Sequence, residues 1–212
     1  MIRRVALGVA MLGLGGPALA IDLAPDGAAI ARAAAEGRAM YKPSLGYDLA
    51  DHVVYEVRDA RAIDPKDGNV DAVVLATPLE RTRHAAYLGQ YEQHALAPAE
   101  AYRRGGLGAG QIAFIVFAHG SDEADMEFPA KFSTATLTIA GKQLAAVAVD
   151  RGGPSFSTYP LSTTGRSRFV ATISYRFDLR TVPGAATAQG RLGFTDATGK
   201  PFDLPVNLAV YR

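Results

Sequence analysis

The chain contains no cysteine among its 212 residues. A disulfide framework, a lipid-anchoring cysteine and the paired-cysteine metal motifs are therefore excluded. The fold must be stabilised by an ordinary hydrophobic core, and the chain is long enough to bury one of full size. We expect a single β-rich domain over residues 21–212, although this length would also accommodate two small ones.

A marked excess of charge of either sign is also absent. The chain carries 22 Lys and Arg residues against 21 Asp and Glu residues, so its formal net charge is +1. Proteins that bind nucleic acid or an anionic membrane surface usually carry many more basic than acidic residues. The composition indicates neither partner, and we expect an unidentified protein or small-molecule ligand instead.

Long apolar runs are missing, and the most apolar stretch lies at the N-terminus. There Arg3 and Arg4 precede an apolar run over residues 5–14, and the small residues Ala18 and Ala20 follow it. This is the layout of a secretory signal peptide, and the run is shorter than the roughly 20 residues that span a bilayer. We predict that residues 1–20 are removed, that no membrane span remains, and that the protein is periplasmic or secreted.

Local motifs of the common enzyme classes are absent as well. The sequence has no G-x-S-x-G nucleophile motif, no H-E-x-x-H zinc motif and no phosphate-binding loop between a strand and a helix. A catalytic triad dispersed along the chain would leave no such motif. The sequence therefore favours a soluble binding or accessory protein over an enzyme, and no cofactor is predicted.

Helix signals occur in two places. Asp26 can cap an alanine-rich helix that ends near Pro43. The segment Thr77-Pro78-Leu79-Glu80 is a capping box with proline at the first helical position, which predicts a helix from there to about His94. A second short helical piece follows, so a helical insertion is expected at about residues 78–104.

The remaining segments have the patterns of β-strands. Residues 52–63 and 70–78 are predicted to form one hairpin, and residues 132–139 and 143–149 another. Residues 111–118 are apolar on both faces, which is typical of a central strand.

The clearest alternation lies in residues 168–180, where apolar and polar side chains take turns. It predicts that one face of this strand meets the core and the other meets water. The last 80 residues are expected to form an antiparallel meander. The fold class that we predict is mainly β, an immunoglobulin-like β-sandwich, or α+β.

Four side chains with both apolar and polar parts fall on one face of the predicted insertion helix, at offsets 0, 3, 7 and 10. They are His84, Tyr87, Tyr91 and His94. Such a stripe is a candidate ligand-binding surface, because these side chains combine an apolar body with a polar tip. Packing of the same helix against a sheet would explain the stripe equally well.

A histidine and four carboxylates follow the predicted central strand within nine residues. They are His119, Asp122, Glu123, Asp125 and Glu127. Oxygen ligands of this kind suit calcium, and His119 with ligands from elsewhere would suit zinc, although the spacing does not match an EF-hand. A hydrated acidic loop between two strands is the other interpretation.

These residues define the alternative function, an exported hydrolase or metal-dependent enzyme that uses His119 and the acidic loop 122–127. The alternative requires convergence in space. It would gain support if His119 and either His84 or His94 lie in one concave pocket with a carboxylate.

Overall fold

The structure, a computed structural model, describes residues 20–57, 68–158 and 167–211. The chain forms a mixed α+β fold that consists mostly of strands. Its elements in chain order are α1 (Gly27–Met40), β1 (Val53–Glu56), β2 (Val70–Ala76), α2 (Pro78–Tyr91), α3 (Pro98–Gly105), β3 (Gln111–His119), α4 (Phe128–Lys131), β4 (Thr136–Ile139), β5 (Lys142–Ala145), β6 (Ala148–Arg151), β7 (Ser155–Thr158), β8 (Ser167–Asp178), β9 (Gln189–Thr195) and β10 (Pro201–Asn207). Short 3₁₀ turns lie at Ala50–His52, Ala185–Thr187 and Leu208–Val210.

The strands form two antiparallel sheets. The six-stranded sheet has the order β1-β2-β3-β8-β6, with β7 also paired to β8, and the four-stranded sheet has the order β10-β9-β4-β5. The pairs β1–β2 and β4–β5 confirm the cores of the two predicted hairpins, and the predicted central strand 111–118 is β3, which lies between β2 and β8. The second hairpin is shorter than predicted, because β5 ends at residue 145 and residues 148–149 belong to β6 in the larger sheet. The end of the first predicted strand and most of its connection to β2, residues 58–67, lie outside the described residues.

The predicted C-terminal meander is wrong in one respect. Strands β9 and β10 pair with each other, but β9 pairs on its other side with β4. Strand β8 belongs to the other sheet, where its neighbours are β3, β6 and β7. Strands β8 and β9 are neighbours in the sequence but belong to different sheets, and the apolar face of each packs against the common core.

The two sheets share one hydrophobic core. From the larger sheet it contains Phe114 of β3 and Tyr175 of β8, and from the smaller sheet Leu192 and Phe194 of β9. The rings of Tyr175 and Phe194 lie 5.6 Å apart between centroids. The buried Tyr175 hydroxyl donates to the carbonyl oxygen of Ser133 over 2.9 Å, so its polar tip is satisfied.

Three helices form a separate small cluster at the larger sheet. Small and apolar side chains make its interior, and they are Ala34, Ala85, Ala86, Leu96 and Ala101. The helix starts confirm the predicted caps, since Asp26 accepts from the amide of Ala29 (2.7 Å) and the Thr77 hydroxyl accepts from the amide of Glu80 (3.1 Å). Helix α2 ends at Tyr91, three residues before the predicted end.

The polar face of β8 is not simply in water, which corrects the sequence-based expectation. Thr172, Ser174 and Arg176 are half-buried. Residues of α2 and of the segment 105–107 stand opposite them across a cavity. The alternation therefore identified the core face correctly, but it could not reveal that a distant segment covers the other face.

Ile21, close to the N-terminal end of the described residues, packs in the hydrophobic core. Ile21 is 2% exposed, and its amide donates to the carbonyl of Ala186 over 3.2 Å, whereas Ala20 is exposed. Apart from Ala20, the predicted signal peptide lies outside the described residues. In the described part of the chain, no helix combines the length and apolar character needed to cross a membrane.

Candidate functional site: a cavity with a buried acid

A cavity of about 450 Å³ lies between the larger sheet and helix α2. Its floor is the outward face of β3, which presents Ala113, Ile115 and Phe117. Leu107 closes over this floor and packs in one apolar cluster with Ala113. The apolar residues on both faces of β3 are thus explained, because one set faces the core between the sheets and the other lines the cavity.

Strand β8 supplies the polar part of the floor. Antiparallel pairing places Arg176 opposite Ala113, Ser174 opposite Ile115, and Thr172 opposite Phe117. Each apolar side chain of β3 therefore has a polar neighbour across the strand pair. The floor is apolar on one side and offers hydroxyl and guanidinium groups on the other.

The wall formed by α2 carries Glu80, which is only 1% exposed. Neither of its carboxyl oxygens has a hydrogen-bond partner. A glutamate at the third position of a capping box usually bonds back to the cap residue, but here the Glu80 carboxyl makes no such bond. The capping box is therefore half formed: the Glu80 amide donates to the Thr77 hydroxyl, and the return bond from the Glu80 side chain is missing.

The surroundings of Glu80 favour its protonated form. Burial raises the pKa of the Glu80 carboxyl, while the positive charges of Arg81 and Arg83 oppose that rise. The Tyr47 hydroxyl itself donates to the main-chain carbonyl of Glu80 over 3.4 Å, a long contact. Burial and, second, the adjacent Glu80 raise the pKa of Tyr47.

His84 lies one helical turn after Glu80 and lines the same cavity. Burial, together with the positive charges of Arg81 and Arg104, lowers the pKa of His84 to about 4. The imidazole is therefore neutral at pH 7, and its buried Nδ1 has no hydrogen-bond partner. The Tyr47 ring lies against it, with centroids 4.8 Å apart.

The opposite side of the cavity ends in an ion pair. Arg176 on β8 donates to Asp150 on β6 over 3.4 Å, with side-chain exposures of 32% and 66%. Exposed pairs of this kind contribute little to stability. The lining of the cavity thus combines the buried Glu80 and His84 with Arg81 on α2, an apolar floor on β3, and the partly exposed ion pair of Arg176 and Asp150.

The four residues predicted to form a ligand-binding stripe lie in different environments. Of the four, His84 lines the cavity. Tyr87 is buried behind it, where its hydroxyl donates to the carbonyl of Leu45 over 2.7 Å. Tyr91 is 66% exposed at the end of α2, and His94 is exposed beyond that end, so neither reaches the cavity.

His119 lies apart from the cavity. It is 2% exposed, and its Nδ1 is 2.8 Å from Oδ1 of Asp71. The predicted metal candidates Asp122, Glu123 and Glu127 are exposed, as expected for a hydrated loop. The remaining candidate, Asp125, is partly buried and bonds to Nζ of Lys131 over 2.7 Å.

His119 and the carboxylates of the loop 122–127 do not form a metal centre. Within residues 20–57, 68–158 and 167–211, no three or more His, Asp or Glu residues group closely enough to hold an ion. The convergence of His119 with His84 or His94 that would favour the enzyme alternative is not observed either, because only His84 lines the cavity.

Sequence reasoning missed Glu80 as a site residue and assigned it only to the helix cap. It did not consider Tyr47, and it placed Arg176 on a solvent face. One local signal was present, because Glu80 and His84 are four residues apart and so share a face of α2. Nothing in the sequence shows that this face covers the polar side of β8.

Comparisons with protein-family models, with curated proteins and with solved structures found no match to this chain.

Proposed function

We propose that this protein binds a small organic molecule in the cavity between the larger sheet and α2, and that it serves as an exported binding or accessory protein. The volume of about 450 Å³ falls within the range of small-molecule sites. An apolar floor with a few polar groups at its ends is also typical of such sites. The binding function is thus supported by both size and lining.

The observation that carries the proposal is the Glu80 carboxyl, which is buried in the cavity wall with neither oxygen hydrogen-bonded. A buried polar group without a partner costs about 1–3 kcal/mol of stability. Sequences usually retain such a cost where it serves a function. A ligand in the cavity would supply the missing partner.

Export and the finer fold class form part of the proposal. The succession of charged, apolar and small residues over residues 1–20 supports export to the periplasm or the medium. The burial of Ile21 beside the exposed Ala20 is compatible with a mature chain that starts at Ile21. The immunoglobulin-like form of the scaffold stays a prediction, supported by two antiparallel sheets that share one core.

The mass of the N-terminal peptide, measured on protein from the native host, tests export. We expect a start at Ile21. An intact start at Met1 would contradict this part of the proposal without affecting the binding function.

Binding is tested by filling the cavity. Ser174→Phe introduces a large side chain on the floor, and phenylalanine is well tolerated in strands. We expect wild-type protein to bind the neutral fluorescent probe N-phenyl-1-naphthylamine saturably and Ser174→Phe to bind it at least tenfold more weakly. Thr136→Phe, at an exposed position on β4, is the matched control and should bind like wild type.

Thermal melts establish that both variants are folded before their affinities are compared. Equal affinity of wild type and Ser174→Phe would contradict binding in this cavity. The competing hydrolase or metal-enzyme hypothesis, based on His119 and the loop 122–127, has weaker support because His119 is absent from the cavity lining.

A further inference from the structure

We propose that the ligand is an organic cation, a protonated amine on an apolar body, whose nitrogen donates to the Glu80 carboxylate. This inference rests on the proposed binding function and names the chemical class of the ligand. The buried carboxyl without a hydrogen-bond partner and the aromatic ring beside it are the two observations that support it.

The arginines of α2 near Glu80 are engaged elsewhere. Arg81 Nε donates to the carbonyl of Gly105 over 3.3 Å. Arg83 lies 3.0 Å from the ring nitrogen Nε2 of His52. Neither guanidinium forms a hydrogen bond with the Glu80 carboxyl, so the place for a donor next to Glu80 is open to a ligand.

Arg176, the other arginine that lines the cavity, also has a partner. Arg176 pairs with Asp150 on the sheet side, so these two charges offset each other. An anionic ligand would have to compete with Asp150 for Arg176. It would also leave the buried Glu80 carboxyl without a hydrogen-bond donor.

The walls beside Glu80 suit a cation. The Tyr47 ring lies over His84, and a tyrosine face attracts an ammonium group that approaches it. The imidazole of His84 is neutral at pH 7, because burial and neighbouring arginines hold its pKa near 4. A cation beside Glu80 therefore meets no repulsion from His84. The repulsion that it does meet comes from Arg81 and Arg83, and the proposal requires the Glu80 carboxylate to outweigh it.

The apolar floor defines the rest of the ligand. Ala113, Ile115 and Phe117 form a surface on which a ring or an alkyl chain can lie. Ser174 and Thr172, their neighbours on β8, can hydrogen-bond a polar group of the ligand. We infer a ligand with a basic nitrogen at one end and an apolar, ring-sized body.

Three probes with the same indole body test the charge. They are tryptamine, tryptophol and indole-3-acetate, which carry a cationic, a neutral and an anionic side chain on the same ring system. The protein contains no tryptophan, so the indole fluorescence of each probe can be followed without tryptophan background from the chain. We expect tryptamine to bind at least tenfold more tightly than the other two.

The matched variants are Glu80→Gln and Glu123→Gln. Both remove one carboxylate and keep the shape of the side chain, but Glu123 is exposed on the acidic loop. We expect Glu80→Gln to remove the preference for tryptamine and Glu123→Gln to leave it unchanged. Thermal melts of both variants verify that they are folded.

Proton release provides a second measure that does not depend on affinity. Tyr47, Arg81, Arg83 and His84 are the titratable and charged groups around Glu80. Because burial raises the pKa of Glu80, whatever fraction of the carboxyl is protonated in the free protein passes its proton to the buffer when an ammonium group binds. Titration calorimetry in two buffers of different ionisation enthalpy should therefore show more proton release with wild type than with Glu80→Gln.

The outcomes separate this inference from the binding function. If tryptophol or indole-3-acetate binds as tightly as tryptamine, and Ser174→Phe removes that binding, the cation proposal is wrong and the cavity function stands. If tryptamine binds equally to wild type and Glu80→Gln, the assigned role of Glu80 is wrong. If the three indoles fail to bind, and N-phenyl-1-naphthylamine binds wild type and Ser174→Phe with equal affinity, both proposals fail.

Discussion

Replacement of Glu80 by methionine should stabilise the free protein. The two side chains have similar length and similar helix propensity, so the change leaves the helix and the cavity shape largely intact. It removes a carboxyl that is 1% exposed and makes no hydrogen bond. Because an unsatisfied buried polar group costs about 1–3 kcal/mol, we expect the free energy of unfolding to rise by that amount at neutral pH.

The size of this gain should depend on pH. Burial raises the pKa of Glu80 in the folded state above its ordinary value of 4.5. Between the unfolded and the folded pKa, the folded protein holds a proton that the unfolded chain has lost, so wild-type stability falls as pH rises, by up to about 1.4 kcal/mol per pH unit. As pH falls below 4.5 the unfolded chain also becomes protonated, so this contribution fades and vanishes well below that pH.

Urea denaturation of wild type and Glu80→Met at pH 4 and pH 7 measures the effect. Other titrating groups, including His84, are common to both proteins, so the difference between the two curves reports Glu80. Glu100→Met is the control, because Glu100 occupies the same third helical position in α3 but is half-buried rather than enclosed. Glu100→Met should lower the free energy of unfolding by about 0.3–1 kcal/mol, because it removes the favourable interaction of the carboxylate with the helix dipole.

A loss of stability of Glu80→Met at pH 7, or a gain of the same size at pH 4 and pH 7, would show that the buried Glu80 carboxyl does not destabilise the folded protein. For a chain of this size, 1 kcal/mol corresponds to about 2–4 °C in melting temperature, so thermal melts provide an independent measure.

Three further predictions concern local structure. Thr77→Ala should lower the free energy of unfolding by about 1 kcal/mol, because its hydroxyl caps α2; an unchanged urea midpoint would show that the cap is dispensable. Gly37→Ala should cost about 1–3 kcal/mol, because a methyl group there would overlap the backbone of Arg83. Gly27→Ala, where the added methyl meets nothing, is its control and should be neutral or better. Calcium or zinc should not raise the melting temperature, since the side chains of the loop 120–127 are mostly exposed; a metal-dependent rise that chelator reverses would identify an ion site.

The sequence alone determined the features that depend on a few neighbouring residues. Asp26 and Thr77 cap their helices as predicted, because capping needs only one side-chain oxygen and the next turn of backbone. The alternation over residues 168–180 identified Ile173, Tyr175 and Phe177 as core residues, because side chains of a strand alternate between its two faces.

The assignment of strands to sheets required the tertiary structure. Strands β8 and β9 follow each other in the chain with similar patterns, yet they belong to different sheets. A period of two residues tells which side chains of a strand share a face, but it does not tell which strand will pair with it.

The cavity likewise depends on contacts between distant residues. Glu80 and Ser174 are 94 positions apart in the chain, and both line it. In the sequence, Glu80 has the features of an ordinary capping residue and Ser174 those of a solvent-facing strand residue. Only the packing of α2 over β3 and β8 buries the Glu80 carboxyl without a partner, because burial is set by everything that surrounds a group rather than by its neighbours in the chain.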